Sequence, residues 1–379
     1  MKNLNILLAF LTVLFFFSSC KKEKIEITYE RYTTEDYAVL SQTLNIENGL
    51  EDYTFEFPKY YNSRSISFDS DLARLGRVMF YDKNLSIDRT ISCSSCHQQN
   101  LAFADDLAFS KGVSNRVTSR NSLALGSVFN FAEYYGDAAQ GRIPFFWDNR
   151  VTTVQEQARQ TFSNEREMNM PMHKVMDRVE EGDYYGVLFK ETFGDSQVTE
   201  DRVLDAVSEF VNSMSSYRSK YDEELDKHYE DNSNLNNIEG ANFSGFTTAE
   251  NLGKDLYISK CGNCHGAING FPAEVKANNG LQMDYEDQGI GAINGSSQNG
   301  LFKVPTLRNI ALTAPFMHDG RFATLEEVVD HYSNGVQNHP NLSNKLKQGG
   351  QAKSFNFSQG EKDALIAFLD TFTDEVMLD

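Results

Sequence analysis

Residues 72–83 read LARLGRVMFYDK, and residues 247–260 repeat the same order of residue types in TTAENLGKDLYISK. In both copies a Leu-Gly pair is followed by a basic residue and then by apolar and aromatic residues. The apolar residues of the first copy recur at the spacing of one helix face, at Leu72, Leu75, Val78 and Met79. A helical unit that occurs twice predicts two related domains.

A Cys-x-x-Cys-His motif follows each copy of the repeat: CSSCH at residues 93–97 and CGNCH at residues 261–265. The chain has five cysteines, and these two motifs account for all of them except Cys20. Three kinds of site use such motifs: a disulfide or redox dithiol, a zinc site and a covalent haem.

The three residues of each motif together favour haem. A redox dithiol is typical of a thioredoxin-like βαβ unit, and neither pair has such surroundings in the sequence. A zinc site would require the two pairs to meet in space, and it leaves the histidines unexplained. Two thiols can instead add to the two vinyl groups of one porphyrin while the histidine binds the iron. We expect one covalent c-type haem at each motif, on Cys93, Cys96 and His97 and on Cys261, Cys264 and His265.

Composition is typical of a folded protein that does not bind nucleic acid. The 379 residues can form two domains of ordinary size, and 40% of them are hydrophobic. The formal net charge is -19, and the sequence has no stripe of clustered Lys and Arg that could bind phosphates. A basic or neutral partner is therefore easier to accommodate than an acidic one.

The N-terminus has the layout of an export signal. One lysine precedes an apolar run at residues 4–17, which is shorter than the roughly 20 residues that span a bilayer. Small residues before Cys20 resemble a bacterial lipobox, although an ordinary secretory signal with a chance cysteine remains an alternative. We expect a signal peptide at 1–19, and a periplasmic protein that Cys20 anchors through lipid to a membrane surface.

The rest of the chain predicts a mostly α protein. Residues 20–68 are polar and Tyr-rich, and we interpret them as a tether and lead-in. Helical periodicity recurs at 199–228 and 358–375, and strand signals are sparse. We place a first haem domain at 69–235 and a second haem domain at 236–379.

From about residue 69 to 375 the chain resembles the bacterial di-haem cytochrome c peroxidase family, including its MauG-like branch. The phrases that carry the resemblance are LGRVMFYD, SCSSCH, SRNS, FFWDNR, QEQA, REM, GKDLYISKCGNCH, FKVPTLRNIALTAPFMHDGRFATLEEVV and DHYSNG. The resemblance implies two cytochrome c-like helical domains, each wrapping one haem. It also implies that the haem at His97 reacts with peroxide and that the haem at His265 takes up electrons.

The resemblance assigns roles near the first haem. Glu167, in REM, matches the distal carboxylate that moves a proton while the O–O bond breaks. Glu165 is a second acid nearby, and only the family register favours Glu167. Gln157 matches a distal amide that orients peroxide or water. Trp147 matches an aromatic residue that relays electrons between the haems, although a lone tryptophan is more often core packing.

Two positions depart from the common pattern of the family. Val113 stands where many members carry a histidine that caps the peroxidatic iron, so we expect that iron to be open in the di-ferric state. Tyr332 stands where many members use methionine as the sixth ligand of the second haem, as in the MauG-like branch. His331 and Met317 are neighbouring alternatives to this tyrosine.

The resemblance also implies a calcium ion between the haems. Asn121, Thr313 and Pro315 match its ligands, and amide and carbonyl oxygens suit a hard cation. The alternative is a structural turn. His318 is expected to be structural, and the histidines expected at the surface are His173, His228 and His339.

The expected reaction is reduction of hydrogen peroxide to water with electrons from a small periplasmic donor, a cytochrome c or a cupredoxin. One alternative is a MauG-like oxidase that withdraws electrons from a protein substrate. Another is a di-haem electron carrier without catalytic activity, which would not need Glu167 or Gln157. The sequence leaves a homodimer open.

Overall fold

The structure is a computed structural model that describes residues 58–60, 68–126, 128, 143–268 and 270–378. The predicted signal peptide, Cys20 and most of the lead-in lie outside the described residues. Within the described part of the chain, no helix is both long and apolar enough to cross a membrane.

The described residues are mostly helical, which confirms the predicted class. Four strands of two residues each form two antiparallel pairs, with Lys276 opposite Lys303 in the first and Lys347 opposite Ala352 in the second. The α-helices are α1 Ser70–Tyr81, α2 Val154–Ser163, α3 Met172–Glu181, α4 Asp183–Phe193, α5 Glu200–Ser213, α6 Lys220–Asn232, α7 Thr248–Lys260, α8 Gly262–His265, α9 Gly291–Asn294, α10 Leu325–Asp330 and α11 Gln359–Asp370. The strands are β1 Lys276–Ala277, β2 Phe302–Lys303, β3 Lys347–Gln348 and β4 Gln351–Ala352.

Side-chain caps start both repeated helices. The Asp69 carboxylate accepts hydrogen bonds from the backbone N–H groups of Asp71 and Leu72. Helix α7 starts with a capping box, in which Thr247 and Glu250 each bond the other's backbone N–H. Such caps satisfy N–H groups that have no partner inside the helix.

The Leu-Gly pair of the repeat is the point where each helix crosses a second helix. Helix α1 packs on α5, and α7 packs on α11. A Cβ atom built on Gly76 would overlap the carbonyl oxygen of Ala206, and one built on Gly253 would overlap that of Ala364. Only glycine allows the backbones to approach this closely, so the repeat encodes two equivalent helix crossings.

We expect Gly76→Ala and Gly253→Ala each to lower the free energy of unfolding by about 1–3 kcal/mol, because the new methyl group overpacks a helix crossing. Gly186→Ala is a matched control, since a Cβ atom at this position in α4 meets no atom within 4 Å. The control should instead gain about 0.5–1 kcal/mol from helix propensity. Urea unfolding measures all three, and equal effects at the three glycines would contradict the crossing argument.

Two hydrophobic clusters form the cores. The first contains Phe80, Phe162 and Phe210, and the second contains Tyr257 and Phe368. Each cluster also includes residues that are distant in the sequence: Phe271 and Met377 pack in the first, and Tyr60, Tyr221 and Leu225 pack in the second. Helix α6 therefore packs with the second cluster, whereas the boundary that we proposed from the sequence follows this helix.

A buried ion pair ties the lead-in to the second cluster. Arg308 and Asp222 are 1% and 2% exposed, and Arg308 Nη1 donates to Asp222 Oδ2 at 3.0 Å. The Tyr60 hydroxyl donates to Asp222 Oδ1 at 2.5 Å, and burial is the main cause of its raised pKa. Removing one partner of such a pair leaves a buried charge without compensation, which destabilises a fold strongly.

Candidate cofactor and active site

Both Cys-x-x-Cys-His motifs border one cavity of about 420 Å³. The first motif begins on a helical turn at Cys93–Ser95, and the second continues from α7 into α8. Repeated helices that pack in equivalent ways thus bring two distant motifs to the same space. The motif residues that border the cavity are Cys93, Cys96, His97, Cys261, Cys264 and His265.

The two motif histidines are oriented for metal binding. His97 Nδ1 lies 2.9 Å from the carbonyl oxygen of Phe103, and His265 Nδ1 lies 3.1 Å from that of Pro305. A neutral ring that donates from Nδ1 to a carbonyl leaves the lone pair on Nε2 available to a metal. Burial lowers the pKa of both rings, which favours this neutral form.

No disulfide joins the four motif cysteines. Burial raises the pKa of each of them to about 12, so they do not have the thiolate character of redox-active cysteines. In the part of the chain that the structure describes, no three His, Cys, Asp or Glu side chains are grouped as ligands of a metal ion. The two pairs are accordingly not gathered into one zinc site there.

The cations that border the cavity suit a cofactor that carries carboxylates. Burial lowers the pKa of Lys303 to about 7, and its Nζ donates to the carbonyl oxygen of Pro144 at 2.7 Å. Arg308 and Arg120 border the same cavity. The Nε–H of Arg308 is buried and has no hydrogen-bond partner among the described residues. Thiols, imidazole Nε2 atoms and cations together fit haem c.

Glu167 borders the cavity from the segment that follows α2. Asn164 Nδ2 donates to Glu167 Oε1 at 2.7 Å. Burial raises the pKa of the Glu167 carboxyl, and hydrogen bonds from Thr161 and Asn164 oppose this shift in part. Gln157 also borders the cavity, and its Nε2 donates to Thr161 Oγ1 at 3.3 Å. A half-buried carboxyl and an amide therefore share the cavity with His97.

Glu165 has a different environment from Glu167. Its side chain is 71% exposed and pairs with Arg116 at 3.1 Å. It does not border the cavity that contains both motifs. Of the two neighbouring acids, only Glu167 is placed to act on a molecule bound in this cavity.

Val113 lies beside the segment that carries Glu167. It is 1% exposed, and its N–H donates to the carbonyl oxygen of Glu167 at 3.0 Å. Its side chain is apolar and cannot bind iron, and its backbone helps to hold the carboxylate segment in place.

The three candidates for the sixth ligand of the second haem differ in their contacts. Tyr332 borders the cavity, and burial raises its pKa. His331 does not border it, because its Nε2 lies 3.0 Å from the carbonyl oxygen of Asn279. Met317 borders the cavity, and its Sδ accepts a hydrogen bond from Asn279 Nδ2 at 3.4 Å. The contacts disfavour His331 and leave Tyr332 and Met317.

Trp147 lies in the wall of the cavity that both motifs share. It is 8% exposed, and its Nε1–H donates to the carbonyl oxygen of Asn121 at 2.9 Å. The indole packs edge-on against His318, with ring centroids 6.4 Å apart. Since the Lys303 N–H also donates to the Trp147 carbonyl at 2.8 Å, strand β2 holds this residue in place.

The proposed calcium ligands gather at the same cavity. Asn121, Thr313 and Pro315 all border it. Asn121 is 7% exposed, and its Nδ2 donates to the carbonyl oxygen of Leu107 at 3.1 Å. The amide thus keeps Oδ1 for another partner, and calcium at this point stays a proposal.

The remaining histidines have different environments. His318 is buried and stacks on Phe302 with centroids 3.8 Å apart, as expected of a structural residue. The prediction that His339 lies at the surface is wrong, because its ring is 7% exposed and packs edge-on against Tyr285. His173 is exposed, and His228 is half-buried.

Sequence reasoning gave no role to the cations of the cavity. Lys303 and Arg308 both occur in FKVPTLRN, a phrase that carries the family resemblance. The only available signal was a basic residue in an otherwise apolar phrase. Charge alone does not distinguish a buried cation from a solvated one. Only the contacts in the folded structure show that Lys303 and Arg308 border the cavity.

Comparisons with known proteins agree with this site. A family model described as di-haem cytochrome c peroxidase matches residues 70–230. The cytochrome c551 peroxidase of Nitrosomonas europaea is 30% identical over 317 residues, which cover 80% of each chain. The chain belongs to the di-haem cytochrome c peroxidase and MauG family. The resemblance predicted from the sequence is thereby confirmed.

Further relatives include both branches of this family. The MauG protein of Methylorubrum extorquens is 30% identical over 305 residues, covering 79% of this chain and 78% of that protein. The crystal structure of a MauG-like protein associated with microbial copper homeostasis has a TM-score of 0.68 at 29% identity, covering 86% of this chain and 97% of that one. The chain is an oxidoreductase of the cytochrome c peroxidase and MauG kind, and its family implies two haem c groups.

Proposed function

We propose that this protein reduces hydrogen peroxide to water with electrons from a small periplasmic donor protein, a cytochrome c or a cupredoxin. One observation carries the proposal: Glu167, a half-buried carboxyl with a raised pKa, borders the same cavity as the imidazole of His97. A mere electron carrier needs no proton-transfer group beside its iron, so this pairing favours catalysis.

At the first motif, residues of this chain would hold the haem, orient peroxide and transfer protons. Cys93 and Cys96 would hold the haem, and His97 Nε2 would bind its iron. When bound, this haem supplies the iron that binds peroxide and exchanges electrons with it. Glu167 takes a proton from one peroxide oxygen and returns it to the other, while Gln157 orients the molecule. One peroxide, two electrons and two further protons yield two waters.

At the second motif, the residues serve electron transfer. Cys261, Cys264 and His265 would hold the second haem, with Tyr332 as its sixth ligand. Trp147 lies in the wall of the shared cavity, and its indole is suited to relay electrons from one motif to the other. Each electron that enters at the second motif would then pass by way of Trp147 to the first motif, beside Glu167.

A second candidate function is MauG-like oxidation of a protein substrate. Val113 and Tyr332 favour it, because both match the MauG-like branch rather than the common peroxidase pattern. In this alternative the protein substrate supplies the two electrons, and Glu167 keeps its role in proton transfer.

A stopped-flow experiment distinguishes these functions. The ferric protein with both haems is mixed with hydrogen peroxide, alone and then with a reduced cytochrome c. Rapid oxidation of the cytochrome with turnover supports the peroxidase. A long-lived oxidised species with no cytochrome turnover supports the MauG-like alternative. A ferric protein that neither binds cyanide nor reacts with peroxide would be an electron carrier.

Removing the motif thiols tests whether each motif attaches one haem. We expect Cys93→Ala/Cys96→Ala and Cys261→Ala/Cys264→Ala each to lower the covalently bound haem from two groups to one, because each pair supplies both thioether bonds of one haem. The absorbance of denatured, acid-washed protein measures this ratio. The single change Cys20→Ala is the control, and two haems should remain in it.

Acidification should slow the reaction with peroxide. Glu167 accepts the first proton only when it is deprotonated, so the rate should follow the deprotonated fraction. Burial raises its pKa above the ordinary value of 4.5, and the rate should therefore fall at a midpoint above pH 4.5 as the pH decreases. Stopped-flow rates across acidic pH measure the midpoint. A rate that is constant down to pH 4.5 would contradict the role of this carboxyl.

We further propose a periplasmic location with a lipid anchor at Cys20, and a calcium ion at Asn121, Thr313 and Pro315. The anchor rests on the sequence alone. The calcium proposal is supported by the shared position of the three residues at the cavity wall.

A further inference from the structure

Residues 331–360 contain no Asp or Glu, although the chain has 54 of them and a net charge of -19. The same stretch contains Lys345, Lys347 and Lys353. We name residues 331–360 the lysine segment. It includes the β3–β4 hairpin and ends in the first turn of α11.

The lysine segment forms one wall of the cavity at the second motif. Lys345 Nζ donates to the carbonyl oxygen of Asn263, which lies between Cys261 and Cys264. The segment therefore contacts the motif where the second haem would be attached. Its residues that border the cavity are Tyr332, Ser343, Leu346, Phe355 and Phe357.

Positive charge predominates around this contact. Lys260, exposed at the end of α7, also borders the cavity and adds a fourth cation. The carboxylates nearby include Glu274, which pairs with Lys345 at 2.8 Å, and Glu361, which is within electrostatic range of Lys260. Asp284, like Lys347, is within electrostatic range of His339.

Lys347 and Lys353 are not neutralised by such pairs. Neither has a carboxylate within ion-pair distance in the part of the chain that the structure describes. Lys347 Nζ donates to the carbonyl oxygen of Pro340 at 3.4 Å, and Lys353 Nζ lies 4.7 Å above the Phe355 ring. The surface at the second motif is therefore locally positive.

The segment also offers apolar area next to Lys353. Phe355 and Phe357 stack with centroids 5.3 Å apart and an angle of 9° between the rings, and both are half-buried. An apolar centre with a charged rim is the common anatomy of a protein interface. Both rings border the cavity, and Lys345 of the same segment contacts the second motif, so a protein docked here would lie close to the second haem.

We propose that the lysine segment is the docking surface for a small acidic electron-donor protein. This inference rests on the proposed function and specifies the charge of its donor. Each docking event moves one electron from the metal of the donor, which is oxidised, to the second haem, which is reduced. Complementary charge accelerates such encounters, and salt screens the effect. The net charge of -19 alone predicts a basic partner, because net charge averages over the whole surface.

Electron transfer between the protein with both haems and two probes tests the docking surface. The dithionite-reduced protein is mixed anaerobically with an oxidised acidic cupredoxin or with an oxidised basic cytochrome c. With the phenolate of Tyr332 on its iron the second haem has a low potential, so this direction is downhill, and it uses the same contact surface without peroxide. We expect the rate constant for the acidic probe to fall as ionic strength rises.

Charge reversal at the two unpaired lysines should have opposite effects on the two probes. In Lys347→Glu/Lys353→Glu the rate with the acidic cupredoxin should fall about 10-fold or more at low salt, and the rate with the basic cytochrome should rise. The milder Lys347→Gln/Lys353→Gln should also lower the rate with the acidic cupredoxin and raise the rate with the basic cytochrome, but each by a smaller factor. Lys174→Glu/Lys190→Glu is the matched control, since it changes the net charge equally on α3 and α4.

Rate changes of opposite sign with the two probes distinguish a docking effect from misfolding, because a damaged protein would react more slowly with both probes. An equal effect of the control pair, or an acidic-probe rate that rises with salt, would overturn the proposal. The proposed function is decided separately, by the reaction of the wild-type ferric protein with peroxide when no donor is present.

Discussion

Glu167→Gln should lower the second-order rate constant for the reaction of the ferric protein with hydrogen peroxide by about 10²–10⁴-fold. Glutamine keeps the size and hydrogen-bonding shape of the side chain, and it can still accept the bond that Asn164 donates at 2.7 Å. It cannot take a proton from peroxide and return it to the leaving oxygen. The expected loss is therefore one of proton transfer and not of packing.

The neighbouring acid provides the control for this variant. Glu165→Gln removes one negative charge from a side chain that is 71% exposed and pairs with Arg116 outside the cavity. Its rate with peroxide should equal that of the wild type. Stopped-flow absorbance of the first haem measures both variants, and visible spectra of the ferric proteins check that both haems are in place. If the two substitutions slow the reaction equally, Glu167 is not the proton-transfer group.

Tyr332→Phe should abolish the low-spin ferric signal of the second haem. The substitution removes only the phenolic oxygen, so the iron loses a ligand while the aromatic ring can still fill its place. A phenolate stabilises ferric iron, and its loss should raise the reduction potential by a substantial part of the roughly 0.8 V range that axial ligands cover. Electron paramagnetic resonance measures the spin state, and a spectroscopic redox titration measures the potential.

Met317→Leu separates the two remaining candidates for this ligand. Leucine is similar in size to methionine but has no sulfur, and Met317 borders the same cavity as Tyr332. We expect Met317→Leu to retain the low-spin signal and the potential of the wild type. Loss of the signal in Met317→Leu and its retention in Tyr332→Phe would assign the ligand to methionine instead.

Local sequence was enough to predict the helices and the family. The repeated Leu-Gly helices begin at side-chain caps, and capping depends on residues only a few positions apart. The close crossings at Gly76 and Gly253 show why the repeat retains glycine. Neither partner helix could be identified from the repeat itself, since each lies more than a hundred residues away.

Burial was less predictable than local structure. His339 was expected at the surface, yet it packs against Tyr285 and is buried. The hydrophilic stretch around it gave no signal of that contact. In the same way, Lys303 and Arg308 border the cavity although lysine and arginine are rarely buried.

The sequence by itself determined the family, the mostly helical class and the presence of two Cys-x-x-Cys-His motifs, because these features depend on residues close together in the chain. Only the tertiary structure placed both motifs at one cavity, with Glu167 at its wall and Glu165 outside it. It also decided that the surface beside the second motif is positive in a protein of net charge -19. Burial and local charge are sums over neighbours in space, and the order of residues does not specify those neighbours.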